Sequence, residues 1–279
     1  MDILLKILNE LVLTWWFLTW VGLVVLFLAV RRWLNFRNHR KGIEGQIAAL
    51  TPLAQRLGGR VVGADEATMW TAELRKPFDN EFSIAFRSKR LFDLSLDFQR
   101  GPWHVRVTQA SVRYDTRGYG VRWQHEHRVE IATARIAPMR MTRVQKYDIF
   151  GNLGSAGHFK SERGFAKGST PVTVQRADAE WSPVSLPEPM DLEFAAYSSD
   201  PVAAVRELNL DALFWLLDQE QSLPSWAQRM ILTFESGVVY LNGYGELIDA
   251  EHLMVVVDTM CGLLDRMPGV RPRHPAAAV

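Results

Sequence analysis

The sequence predicts an α+β protein: an N-terminal transmembrane helix, then a mainly antiparallel sheet domain with two C-terminal amphipathic helices. Three observations carry that prediction. Leu11 to Val30 is an uncharged apolar run, and residues from Arg60 to about Ile136 alternate apolar with polar. The last third carries two apolar stripes at helical spacing, each opened by an aspartate. With 48% hydrophobic and 23% charged residues, the 279-residue chain is suited to a folded core, which excludes a disordered or fibrous protein. The expected organisation is an anchor with its basic flank over 1–41, a domain over 42–268 and a disordered tail over 269–279. Within the domain, 42–150 and 170–268 are candidate subdomains.

The anchor comes first. Twenty helical residues rise roughly 30 Å, the thickness of a bilayer's hydrocarbon core. A cleaved signal peptide would have a shorter apolar region and a small-residue cleavage site, whereas Arg31 and Arg32 follow this run. Arg31, Arg32, Arg37, Arg40 and Lys41 all lie after the span, against Lys6 alone before it. The positive-inside rule then puts the N-terminus outside and the domain in the cytoplasm of a single-pass cell-membrane protein. Trp15, Trp16 and Trp33 sit where interfacial aromatic belts form. The lone Cys261 permits no disulfide within the chain and no zinc site built on paired thiolates.

The elements follow in order. Ile43, Ile47, Leu50, Leu53, Ala54 and Leu57 are spaced as a helix that Gly58 and Gly59 stop. Phe82/Ile84/Phe86, Leu94/Leu96/Phe98, Trp103/Val105/Val107, Tyr119/Val121/Trp123 and Val129/Ile131 each line one strand face. They form a sheet that is polar on its other side. Gly151 to Pro171 is rich in Gly and Ser and reads as a long loop. Val172–Val174 and Leu192–Tyr197 read as strands. Asp200-Pro201 opens a helix with the stripe Val202, Val205, Leu208, Leu213, Phe214, Leu216 and Leu217. Met230 to Leu241 is a hairpin around Ser236-Gly237, and Asp249 caps the last helix, which Pro268-Gly269 end.

The strand DLEFAAYSSDP running into a helix, the hairpin FESGVVY and the closing helix DAEHL…VDTMCGLLDR resemble uncharacterised single-span membrane proteins of actinobacteria, catalogued as domains of unknown function. The resemblance covers roughly residues 170–267 and the anchor. It implies a membrane-tethered α+β domain and carries over no catalytic residue.

Candidate chemistry is sparse. His125 and His127, two apart on a strand, share a face and could reach one metal while Glu126 points away; His104 is the third ligand on offer. Against that stands a packing pair in a basic ribbon. Gly151, Gly154 and Gly157 with Lys160 and Lys167 suggest a phosphate cradle, yet no Gly-Lys-Ser/Thr opens a helix there. No serine sits in a Gly-x-Ser-x-Gly elbow, and Cys261 falls beside an apolar stripe as a small hydrophobe would. No cofactor is read from the sequence.

Charge is unevenly placed. Residues 100–176 hold 14 basic and 5 acidic side chains, net +9, whereas 177–279 hold 5 and 16, net −11. The whole chain is +1, too little for a nucleic-acid partner's electrostatic footprint. The expectation is a membrane-anchored, non-enzymatic module that touches lipid through Leu11–Val30 and binds a protein partner. An enzyme built on His125/His127 or on the glycine loop is the alternative, and so is a module lying on anionic inner-leaflet lipid.

Overall fold

In a computed structural model, residues 2–78, 90–116, 120–134, 136–147, 160–162, 181–247 and 249–273 are described. The chain divides into two compact units, Met1–Gly45 and Gln46–Val279. One helix, α1 (Asp2–Arg56), runs through both the apolar block and the amphipathic stripe that follows it. The basic residues between them do not interrupt it, since Arg and Lys are good helix formers. From Thr14 to Leu34 every side chain is exposed, and α1 is long and apolar enough to cross a membrane.

The second unit is built on nine antiparallel strands: β1 (Arg60–Gly63), β2 (Leu91–Arg100), β3 (Trp103–Thr116), β4 (Gly120–Ala132), β5 (Met139–Arg143), β8 (Ser182–Val184), β9 (Phe194–Ser198), β10 (Leu232–Glu235) and β11 (Val238–Tyr244). Their order is β1-β2-β3-β4-β11-β10-β5-β9-β8. Both edge strands are short, and Pro183 in β8 removes a donor, so neither edge invites pairing. Two further strands, β6 (Gln145–Tyr147) and β7 (Lys160–Glu162), pair with each other. Lys160–Glu162 is therefore strand where the sequence suggested loop. The rest of the Gly151–Pro171 stretch, Val172–Val174, Phe82/Ile84/Phe86 and Tyr119 lie outside the described residues.

The period-2 register puts Leu94, Leu96, Val105, Val107, Val129, Ile131, Val239 and Leu241 on one face, all buried. Against this face lies α4 (Ala250–Arg266), whose Leu253, Val256, Val257, Met260, Leu263 and Leu264 are buried in turn. Asp249 caps α4, its carboxylate accepting from Glu251 N and His252 N. The hairpin turn of β10–β11 has positive φ at both Ser236 and Gly237, the type I′ geometry that matches strand twist.

One expected helix is two. The stripe after Asp200 breaks into α2 (Pro201–Glu207) and α3 (Leu210–Gln219), because Asn209 accepts from Ala212 N and caps a new helix. Val202, Val205 and Phe214 consequently point to solvent. The tail is pinned at its start: Ala134 N donates to Arg271 O at 2.6 Å, and Pro272 bridges Thr133.

The other sheet face is polar, as expected, but it is not solvated. Glu126, Arg128 and Glu130 alternate along β4 and are fully buried beneath the irregular segment 68–78. Glu130 accepts from Trp70 N (3.0 Å), Thr71 N (2.8 Å) and Thr71 Oγ1 (2.5 Å). Arg128 donates to Thr71 Oγ1 (2.6 Å) and to Asn242 Oδ1 (2.7 Å). Glu126 accepts from Phe78 N at 2.7 Å and pairs with Arg75 Nη1 at 3.3 Å. That bond holds Phe78 in the left-handed region, φ 60°, which a bulky residue rarely enters. Burial pushes the Glu130 carboxyl up, opposed by Arg128 and the three donors.

Removing one member of a buried pair leaves its partner charged and unpaired, at about 3–5 kcal/mol. Glu130→Leu should lower the stability of the detergent-solubilised full chain by that amount in urea unfolding followed by tryptophan near-UV circular dichroism. Thr71→Val should lose about 1–3 kcal/mol, since it strips one partner from each charge. Losses under about 1 kcal/mol for both would show that the segment does not depend on this network.

Candidate functional site

The two histidines share the α4-side face of β4, yet their surroundings differ. A β-bulge between Phe92 and Leu94 turns Asp93 into this face, where it is 3% exposed. His125 Nδ1 lies 3.5 Å from Asp93 Oδ2, and Nε2 lies 3.3 Å from Glu246 Oε1. The two carboxylates thus flank the ring from opposite sides and do not converge on one point. Ser111 in the cluster donates its hydroxyl to Asp93 Oδ1 at 2.7 Å. Gln109 completes the arrangement by donating to Gln46 Oε1 (3.0 Å) and accepting from Leu247 N (2.7 Å). The cluster therefore joins the last turns of α1, the bulge and the loop after β11.

His127 is 2% exposed. Its Nδ1 faces Gly245 O at 3.1 Å, and its ring meets Trp226 edge-on at 4.5 Å. Nε2 is turned to Gly243, where a Cβ would collide with both His127 and Trp226. Burial pushes this imidazole below the ordinary histidine range. The structure does not bring His104 to the pair. It stands opposite Gln99, on the other sheet face and seven residues along β3 from Ser111, or roughly 23 Å of strand. Among the described residues no group of three potential ligands could hold a metal ion.

The flank residues Arg31, Arg32, Trp33, Arg37, Arg40 and Lys41 lie exposed on α1. Arg37 stacks over Trp33 at 5.2 Å, and Arg40 Nε lies 3.5 Å from Glu44.

A cleft of about 660 Å³ is bounded by the β2–β3 turn, α3 and α4. Asn209 Nδ2 donates to Arg266 O (3.0 Å) and Trp215 Nε1 to Thr259 O (3.2 Å), while Gln219 and Val255 both line the cleft. Increasing numbers on α3 therefore meet decreasing numbers on α4, and the helices are antiparallel. Gly262 lets them approach, because a Cβ there would lie 2.6 Å from the Trp215 ring. Trp103 donates to Asp265 Oδ1 at 2.8 Å, and Arg100 grips Asp258 with two bonds of 2.6 and 2.9 Å. Cys261 opens on the same cleft, and burial pushes its thiol up to about 12. It is a wall, not a nucleophile.

Sequence reasoning missed this cleft because its walls come from three remote stretches with no common spacing. One signal was present: Gly262 inside a helical stripe, which marks close packing. No protein-family model matches the chain, and neither a curated protein nor a solved structure does.

Two measurements check these environments. Folded His127 is neutral at pH values where the unfolded chain has already taken up its proton. Stability is thus full above about pH 6.5 and falls as pH drops below it. The urea midpoint should decline between pH 7 and pH 5.5, and His127→Asn should shrink that decline; an unchanged slope would remove His127 as its source. Cys261 should react with a thiol reagent at pH 8 only after denaturation, and rapid labelling of the folded chain would contradict its burial.

Proposed function

We propose that this protein is a membrane-anchored cytoplasmic module that acts without catalysis, by association with another protein. The anchor reading rests on the uncharged Leu11–Val30 run within α1, and the cytoplasmic side on the five basic residues after it. One observation carries the association reading. Outside α1, the exposed large apolar side chains among the described residues are Leu192, Val202, Val205, Leu210, Phe214 and Tyr244. Five of the six fall in one stretch of the chain, on the turn at Met190–Leu192 and on α2 and α3, of which α3 borders the cleft. Exposed apolar surface gathered in this way marks an interaction site, whereas scattered residues do not.

The basic block supports this reading over one of lying on lipid. Arg106 pairs with Asp97, Arg100 with Asp258, and Arg143 with both Glu193 and Glu220. Three of its fourteen basic side chains are thereby met inside the fold. The polar clusters likewise serve as structural ties.

The test replaces Phe214 by a photo-crosslinking phenylalanine analogue in the full-length protein in native membranes. Discrete adducts are expected there, and none from the same analogue at exposed Arg60 on β1. Equal labelling at both positions, or none at 214, would overturn the association reading. A reporter active only in the cytoplasm, fused after Val279, should be active; activity from an exported reporter alone would reverse the orientation.

A further inference from the structure

We infer that the cleft between α3 and α4 seats a basic amphipathic helix of the partner, its apolar side chains in the cleft and its Lys or Arg side chains against the rim. This rests on the association reading and adds the partner's chemistry.

Part of the wall is apolar. Pro102, Trp103, Trp215, Val255 and Cys261 line the cleft, and its 660 Å³ lies in the range of established binding clefts. Leu210 and Phe214, one turn apart on α3, stand outside that lining and add exposed apolar surface on a neighbouring face of the helix, at 41% and 44% exposure. The groove of an antiparallel helix pair is a place where a third helix packs. Neither wall offers a strand edge, because helices satisfy their own backbone groups. A partner must therefore be held by side chains, as in helix-in-groove recognition.

The rim sets the sign. Along α3 stand Asp211 and Asp218 with no basic residue, and along α4 stand Glu251, Asp258 and Asp265 with Arg266. The two arginines at the cleft are committed. Arg100 is held by Asp258, whereas Arg266 stacks over Trp215 at 4.0 Å, donates to Gly262 O at 2.8 Å and lies 3.8 Å from Asp211. Those two pairs leave Asp218, Glu251 and Asp265 as an acidic surplus, in line with the −11 of residues 177–279. Like charge across an interface suppresses wrong partners, and opposite charge speeds encounter. An acidic helix and an anionic membrane are therefore both disfavoured here.

The experiment uses the full-length chain in nanodiscs of zwitterionic lipid, with empty discs as control. Three fluorescent 18-residue peptides are titrated: leucines at i, i+3, i+4, i+7 with lysines elsewhere; the same leucines with glutamates; and the leucine–lysine composition scrambled. The first should bind at least tenfold more tightly than the others and weaken several-fold between 0.05 and 0.5 M salt. Phe214→Ser, and separately Asp218→Asn with Glu251→Gln, should each weaken it about tenfold. These positions are exposed, so circular dichroism should be unchanged. Equal binding of the glutamate peptide, indifference to Phe214→Ser, or equal binding to empty discs would overturn the inference. If no peptide binds but adducts at position 214 persist, the partner's chemistry is wrong and the association reading stands; if both fail, both fall.

Discussion

The charged alternation Glu126, Arg128, Glu130 on β4 is the constraint on which the polar face of this sheet and the segment over it depend. Three ionisable side chains with no solvent exposure would be costly to bury unless every lone pair and proton found a partner. Most of their partners come from segment 68–78, which forms turns but no helix or strand, and Arg128 also reaches Asn242 on β11. Trp70 N, Thr71 N and Phe78 N are donors that a helix or strand would otherwise absorb, and the two glutamates take them. The segment is thereby fixed over the sheet, and the sheet face is closed. A buried network of this kind specifies one arrangement more than it adds stability. The cost of a half-made network is what ties the sequence of 68–78 to that of β4.

This dependence explains what was legible in the sequence and what was not. Leu94/Leu96/Phe98 and Val129/Ile131 could be read because the strand period of two is local, and so could the α4 stripe, whose period is 3.6. The same period put Glu126, Arg128 and Glu130 on one face, and a charged face ordinarily reads as solvated. Nothing within β4 discloses that residues some fifty positions earlier cover it. The break at Asn209 was hidden for a related reason. Asn is a weak helix former in mid-helix and a strong cap at its start, and the choice between them is made by packing. The continuity of α1 was hidden by function, since a basic flank reads as a boundary of the membrane although it is none for the helix.

The cleft was illegible in principle. Its walls at 100–103, 215–222 and 255–265 meet only through the antiparallel packing of α3 on α4, which Gly262 and Trp215 permit. The three sites of candidate chemistry ended differently. His125 became part of a polar tie between α1, the bulge at Asp93 and the loop at Glu246, whereas His127 packs against Trp226. The thiol became a wall, and the glycine stretch lies almost wholly outside the described residues.

The charge blocks can now be placed in physical terms. Arg143 joins β5 to Glu193 and Glu220, and Arg100 joins the end of β2 to Asp258 on α4, so part of the basic middle block is spent inside the fold. Each such pair removes one acid from the final third's surplus, but the acids outnumber the pairs. What remains is displayed on the helices, beside the exposed apolar residues of α2 and α3. A surface of that composition stays soluble through its charge and is selective through its sign. For an anchored module this is a consistent combination. A tether raises the effective concentration of the two partners in one membrane, so modest affinity suffices and discrimination matters more than strength. Under the association proposed above, the acidic surplus would serve the step that an anchor cannot, which is the choice of partner.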